Sequence, residues 1–232
     1  MTPHRRPEVS RIEGFSDAVF AFAITLLVVS LEVPRTFDEL LHAIRSFPAF
    51  AVSFALLFQV WWRHYKFFRS YDLEDSYVIA WTGVLLFVVL FYVYPLKFVW
   101  SLAFAQIQGV EVGDSVITLQ QVPVLFAIYG VGVICVFSIL ALLYHHAYRL
   151  RDALGLTREE TLEAKVNVYR NIGVASWGVL SIIVAAIAAV SAPQFVGLAG
   201  YVYTGIGLSE WALGTYEGRE RRRLSRADTS PA

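Results

Sequence analysis

Residues 11–34 read RIEGFSDAVFAFAITLLVVSLEVP, with a charged and hydroxylated foot, an apolar run and a closing proline. The run approaches the roughly 20 residues that a helix needs to cross the hydrocarbon core of a bilayer. Asp17 stands at its foot, directly after Phe15 and Ser16. A carboxylate facing lipid at such a position is expensive, so it calls for a protein or water partner. The expectation is a membrane helix with a polar base that lines an ion pathway.

The rest of the chain belongs with that helix. Of 232 residues, 57% are hydrophobic and 16% charged, a balance too apolar for an ordinary soluble domain. Basic residues His4, Arg5 and Arg6 ahead of an apolar run also describe a secretory signal. The run is too long for one, it carries Asp17, and further apolar runs follow. Cys135 is the single cysteine and falls inside such a run, which excludes a disulfide framework or a cysteine metal site within one chain.

Six segments have spanning length: 15–31, 47–62, 77–94 with a continuation past Pro95 toward Phe104, 122–144, 168–190 and 195–216. Their continuity favours helices over barrel strands, which would alternate over about ten residues. Lysine and arginine collect on cytoplasmic loops. With the N-terminus inside, 16 of the 19 lie on the cytoplasmic side, and Arg35, Arg45 and Lys97 lie opposite. The expected fold is therefore an all-α membrane protein of six spans, in the cell membrane, with both termini cytoplasmic.

Between the first two spans, Leu40, Leu41, Ile44 and Phe47 recur at helical spacing, as in a short amphipathic helix at the outer surface. TREETLEAK reads as a capped helix start, with Thr157 as N-cap and Glu160 three residues on. Residues 1–218 form the expected transmembrane domain, and 219–232 read as a disordered basic tail that holds orientation or touches anionic lipid. No stretch resembles a nucleotide-binding loop, and no nucleic-acid partner or enzymatic activity is expected.

Two groups at the inner side carry candidate chemistry. The first is Arg11, Phe15, Ser16 and Asp17; the second is WWRHYKFF, with Trp61, Trp62, Arg63 and His64 at the same expected depth. A histidine facing a carboxylate across two helices satisfies both groups where water is scarce, so His64 is a candidate partner of Asp17. At 100° per residue, Asp17 shares a face with Phe20, Ile24 and Val28, while Phe22, Thr25, Leu26 and Val29 occupy another.

Glu210, among Gly205, Gly207, Ser209 and Gly214, is either a buried partner for a basic residue or wetted by the inner surface, the second being the simpler reading. Arg170 and Asn171 are candidates to join the Asp17 network. His145 and His146 read as interfacial residues, since no carboxylate lies nearby in sequence. No metal site and no cofactor is expected.

RIEGFSD resembles the R-x-x-x-F-S-D signature that opens the first helix of the transmembrane protein 175 family, the lysosomal and prokaryotic potassium channels, and W-x-x-H at Trp61 to His64 is similar to that family's second helix. The resemblance implies a homotetramer in the lipid bilayer, its pore lined by the first helix of each subunit, conducting potassium ions passively. The chain has no TVGYG-like stretch of the kind that builds a carbonyl filter.

Carried over by position, the constriction falls at Phe22, Thr25 or Leu26, and Val29, with Arg11, Phe15, Ser16, Asp17, Trp61 and His64 bracing the pore helix. Phe22 departs from the isoleucine or leucine usual in the family, and four phenylalanines around an axis form a bulkier ring that closes a pore by dewetting. The rival reading is a proton-coupled secondary transporter with a relay of Asp17, His64 and Glu210.

Overall fold

The computed structural model describes residues 9–29, 33–109, 117, 118 and 120–228, without the side chains of residue 42 and of 225–228. His4, Arg5 and Arg6, the last two positions of the first expected span and the tail end 229–232 lie outside the described residues. The chain is all helical among the described residues: α1 (Arg11–Val29), α2 (Phe37–Tyr71), α3 (Ser76–Gln108), α4 (Val122–Arg149), α5 (Arg158–Ser191), α6 (Leu198–Tyr201) and α7 (Gly205–Asp228). Five of them, α1 to α5, are long and apolar enough to cross a membrane.

Local chemistry sets the ends. Thr36 and Glu39 form a capping box at the start of α2, and Thr157 and Glu160 form the one expected at α5. Asp72 closes α2 at φ 47° with its N–H on the Phe68 carbonyl, a left-handed conformation that aspartate tolerates. Asp75 caps α3 by accepting from the Val78 N–H at 2.9 Å.

The boundaries differ from the expected spans in a consistent direction. The amphipathic segment and the second span are one 35-residue helix, α2, which passes through Pro48. At 1.5 Å per residue it is about 50 Å long, well beyond a hydrocarbon core of about 30 Å. α3 continues through Pro95 to Gln108. The sixth expected span, residues 195–216, follows a right-handed helical path through α6, a 3-10 stretch at Val202–Thr204 and the start of α7, along which Gly197, Gly200, Gly205 and Gly207 lower helix propensity. The expected disordered tail is likewise helical through Asp228, supported by i,i+4 and i,i+3 pairs from Arg221 to Glu217 and Arg223 to Glu220.

The core runs between the helices as one cluster. Phe20, Ala23 and Leu27 of α1 pack with Leu57 and Val60 of α2 and Leu85, Leu86 and Val89 of α3, and the cluster continues through Val133, Val136, Phe137 and Leu140 of α4 to Val174 of α5. α4 and α5 are the most closely associated pair. Their backbones meet at Gly130 and Gly178, where a methyl on either would stand 3.1 Å from the other's carbonyl oxygen, a contact open only to very small residues. A second cluster, with Phe67, Tyr71, Val78, Leu143, Tyr144 and Ala164, ties α2 to α5 at the end of the bundle where α2 finishes and α3 and α5 begin. The start of α1 and the final turns of α7 reach that same end through Glu13 to Arg69 and Arg221 to Glu163.

Candidate functional site

α1 has two faces. Glu13, Ser16, Phe20, Ala23 and Leu27 are buried, and their 3–4 spacing makes one continuous stripe. Arg11, Phe15, Ala18, Phe22, Thr25 and Val29 are exposed on the other side. Phe22 keeps 55% and Val29 71% of their surface. Thr25 returns its hydroxyl to the Ala21 carbonyl at 2.9 Å, so it presents its methyl and one oxygen to that open face. Leu26 stands at the edge, partly buried against the core.

The buried stripe is fastened to α2 at its foot. Trp61 Nε1 donates to Asp17 Oδ1 at 2.8 Å, and Arg69 Nε lies 3.1 Å from Glu13 Oε1. Trp61, Tyr65 and Arg69 are successive i,i+4 positions, Trp61 stacking on Tyr65 at 5.4 Å and the Arg69 guanidinium lying 5.6 Å from the Tyr65 ring centre. α1 and α2 are antiparallel, and helical side chains tilt toward their own N-terminus. The long Arg69 side chain and Glu13 therefore lean toward each other and close the gap left by their different heights.

The brace differs in part from the expected one. His64 is not paired with Asp17: it is 1% exposed, its ring 5.7 Å from Phe20 and 4.9 Å from Phe68, with Nε2 buried and unpartnered. The same opposed tilt brings Phe20 down and His64 up to meet, leaving Asp17 to the indole. Ser16 is buried but bonds its own helix, to the Ile12 carbonyl at 2.7 Å. Arg11 and Phe15 fall on the exposed face, because 11, 15 and 22 lie within about 40° of one another at 100° per residue. Glu13 and Arg69 are brace residues that sequence reading missed; the i,i+4 repeat of acids at 13 and 17 was the available signal.

A second network lies at the same end. Arg63 donates to Glu210 at 2.8 Å and to Asn171 at 3.2 Å, its guanidinium 5.4 Å from the Phe137 ring centre. Arg170 Nε lies 2.8 Å from Glu210 Oε2, and its NH2 3.2 Å from Glu217. Glu217 holds Arg221 at 2.7 Å, and Arg221 reaches Glu163 at 3.7 Å. Glu210 is thus the clamped partner of two arginines rather than a residue chiefly wetted at the surface. Arg170 and Asn171 join this network, not that of Asp17.

His146 also has a carboxylate, supplied from the turn before α3: Nε2 is 2.6 Å from Asp75 Oδ2, and the ring stacks on Tyr77 at 4.3 Å. Partial desolvation pushes the Asp75 carboxyl up, but hydrogen bonds from His146 and from the Val78 and Tyr77 N–H groups outweigh it and hold the group below the usual carboxylate value. Among the described residues no group of three or more histidine, cysteine, aspartate or glutamate side chains converges as a metal site would require. Asp17, His64 and Glu210 each have different neighbours, so the structure does not assemble the proton relay.

A family model described as endosomal/lysosomal potassium channel TMEM175 matches residues 11–92, which hold α1, α2 and half of α3. A Marivirga tractuosa protein named potassium channel is 38% identical over 187 residues, covering 78% of this chain and 76% of that protein. The chain belongs to the TMEM175 family of potassium channels. A crystal structure of the potassium channel MtTMEM175, a threonine-to-alanine variant in complex with a nanobody–MBP fusion protein, superimposes with a TM-score of 0.79 at 33% identity, covering 94% of this chain and 99% of that one. A lysosomal potassium-selective channel TMEM175 homolog from Chamaesiphon minutus shares the fold, with a TM-score of 0.58 at 23% identity over 89% and 96% of the two chains. Membership places the chain among TMEM175 channels, and the transporter reading finds no support beside it.

Proposed function

We propose that four copies of this chain assemble in the cell membrane, both termini cytoplasmic, around a central pore lined by α1, and that potassium crosses it passively with no cofactor. The observation that carries the reading is the division of α1: one stripe is buried and fastened to α2 through Asp17 and Glu13, and the other, with Phe22, Thr25 and Val29, is left open by its own subunit. An apolar helix face with one hydroxyl, that of Thr25, suits a hydrophobic constriction, which selects and gates by pore width and wetting. Phe22 forms the bulkiest layer, Thr25 the polar one, and Leu26 and Val29 complete the wall, Leu26 from its edge. The gathering of basic residues at the end holding the α1 start and the α7 finish supports the orientation.

The test is potassium flux from liposomes containing the purified protein, with the mass of the detergent-solubilised oligomer. Flux that follows the potassium gradient and ignores a proton gradient, from a species of four chains, is expected. Obligatory proton coupling, or a monomeric conducting species, would overturn the reading.

A further inference from the structure

α2 carries a row of aromatic rings that its own subunit leaves half open. Phe47, Phe50, Phe54, Phe58, Trp61 and Tyr65 follow one another at steps of three or four residues, each ring centre 5.1 to 6.2 Å from the next. At 100° per residue the six fall within an arc of about 80°. From Phe47 to Tyr65 the row covers about 27 Å of helix, close to the whole thickness of the hydrocarbon core. Phe47, Phe54 and Phe58 keep 59%, 37% and 44% of their surface. Anchoring indoles and phenols gather at the two edges of a bilayer, whereas here phenylalanines continue through its middle.

The row is continuous with the open side of α1. Its Trp61 holds Asp17 at 2.8 Å. On that same flank of α1, Gly14, Ala21 and Val28 are exposed at i,i+7 steps, beside the stripe of Phe22 and Val29. The small residues at 14 and 21 let another helix come close. A pore lined by α1 must also be sealed from acyl chains between neighbouring copies, so lipid cannot occupy this flank in a closed ring. Rotational rings are heterologous: the Asp17 flank of one subunit meets the opposite flank of the next. That opposite flank carries Val19 and Leu26, both only partly buried in their own subunit.

Rotation about the membrane normal preserves depth. Leu26 lies about 14 Å along α1 from Asp17, and Phe54 about 11 Å along α2 from Trp61, in the same direction because the helices are antiparallel. Leu26 of one copy and Phe54 of the next therefore stand at nearly the same level.

We propose that the aromatic row of α2, with the Gly14, Ala21 and Val28 flank of α1, is the seat for α1 of the neighbouring copy and closes the ring. This rests on the assembly proposed above and names its contact.

The test is disulfide cross-linking in native membranes, using the full chain with its free cysteine removed by Cys135→Ala. Phe54→Cys with Leu26→Cys should join copies and give bands of two, three and four chains on non-reducing gels. Phe54→Cys with Val179→Cys, on the exposed side of α5, should stay a single band. Phe54→Ala with Phe58→Ala should weaken association of the detergent-solubilised chains about tenfold at unchanged helix content. A Phe54 and Leu26 cysteine pair that gives one band, while the parent has the mass of four chains, overturns the proposal and leaves the tetramer standing, since the row then faces lipid. Bands as strong with Val179→Cys, or an alanine pair that associates like the parent, overturn it as well. A monomeric parent sinks the assembly with it, and failed potassium flux with the cross-linked bands intact sinks the conduction reading alone.

Discussion

The indole of Trp61 holds the carboxylate of Asp17 at 2.8 Å, and this single bond joins the two sequence motifs that stand out at the foot of the bundle. It answers the requirement set by an acid at a membrane helix's base: a directed donor on the neighbouring helix, supplied without a second buried charge. Hydrogen bonds to charged groups contribute more than neutral ones, about 1.5–3 kcal/mol. Trp61→Phe keeps an aromatic ring but removes the donor and part of the indole's packing, and it should lower stability by at least that amount in size-exclusion thermal melts of the detergent-solubilised protein. Asp17→Asn keeps an acceptor oxygen and should lose less. A phenylalanine variant as stable as the parent would show that the bond does not brace the helix.

Phe22→Ala removes the phenyl ring from the bulkiest layer of the proposed constriction on α1. In bilayer recordings, leak current should rise at least about twofold and selectivity for potassium over sodium should fall, because a wider, wetter layer discriminates less. Unchanged reversal potentials would count against Phe22 as a pore residue.

The pair Arg63 and Glu210 should behave as a unit. Arg63 has a side chain only 12% exposed, so Glu210→Met leaves a cation short of its main partner, at a loss of about 3 kcal/mol. Arg63→Met with Glu210→Met should lose less than the sum of the two single changes, with a coupling above about 1 kcal/mol in denaturation measurements. Additive losses would contradict the network.

Asp75 gives the acid dependence. Its carboxyl is held below the ordinary value, so its contribution is present above the unfolded value, about pH 4, and is lost as pH falls through the lower folded value. The Asp75 side chain is 41% exposed, so solvent screening keeps the contribution below about 1 kcal/mol. Asp75→Asn should lower stability at neutral pH and flatten the decline below pH 4, read from melting temperature against pH. A parallel decline in both proteins would show that the His146 contact contributes nothing.

What was legible in the sequence follows from which forces act locally. The apolar runs announced α1 to α5, and Thr157 with Glu160 marked the start of α5, because hydropathy and capping are properties of neighbours in the chain. Phe22, Thr25 and Val29 were separable from the buried stripe by angle alone. Residues 195–216 read as a span by their length, but the 3-10 stretch within them depends on packing, as at Gly205, where a methyl would strike the Trp177 ring. The choice of Trp61 over His64 for Asp17, and of Arg63 for Glu210, depends on tilt and register between helices far apart in sequence. A single chain states neither.

The ion pairs from Arg63 through Glu210, Arg170, Glu217 and Arg221 to Glu163 alternate in sign at every step. A member at either end touches one opposite charge, whereas each member between them touches two. Random drift should therefore fall unevenly on the six: Glu163 is free to change alone, while Glu210 and Arg170 can be exchanged only in step with a neighbour. Among related sequences these inner positions should vary together or hardly at all, leaving a record of linked changes that connects the last helix to the second.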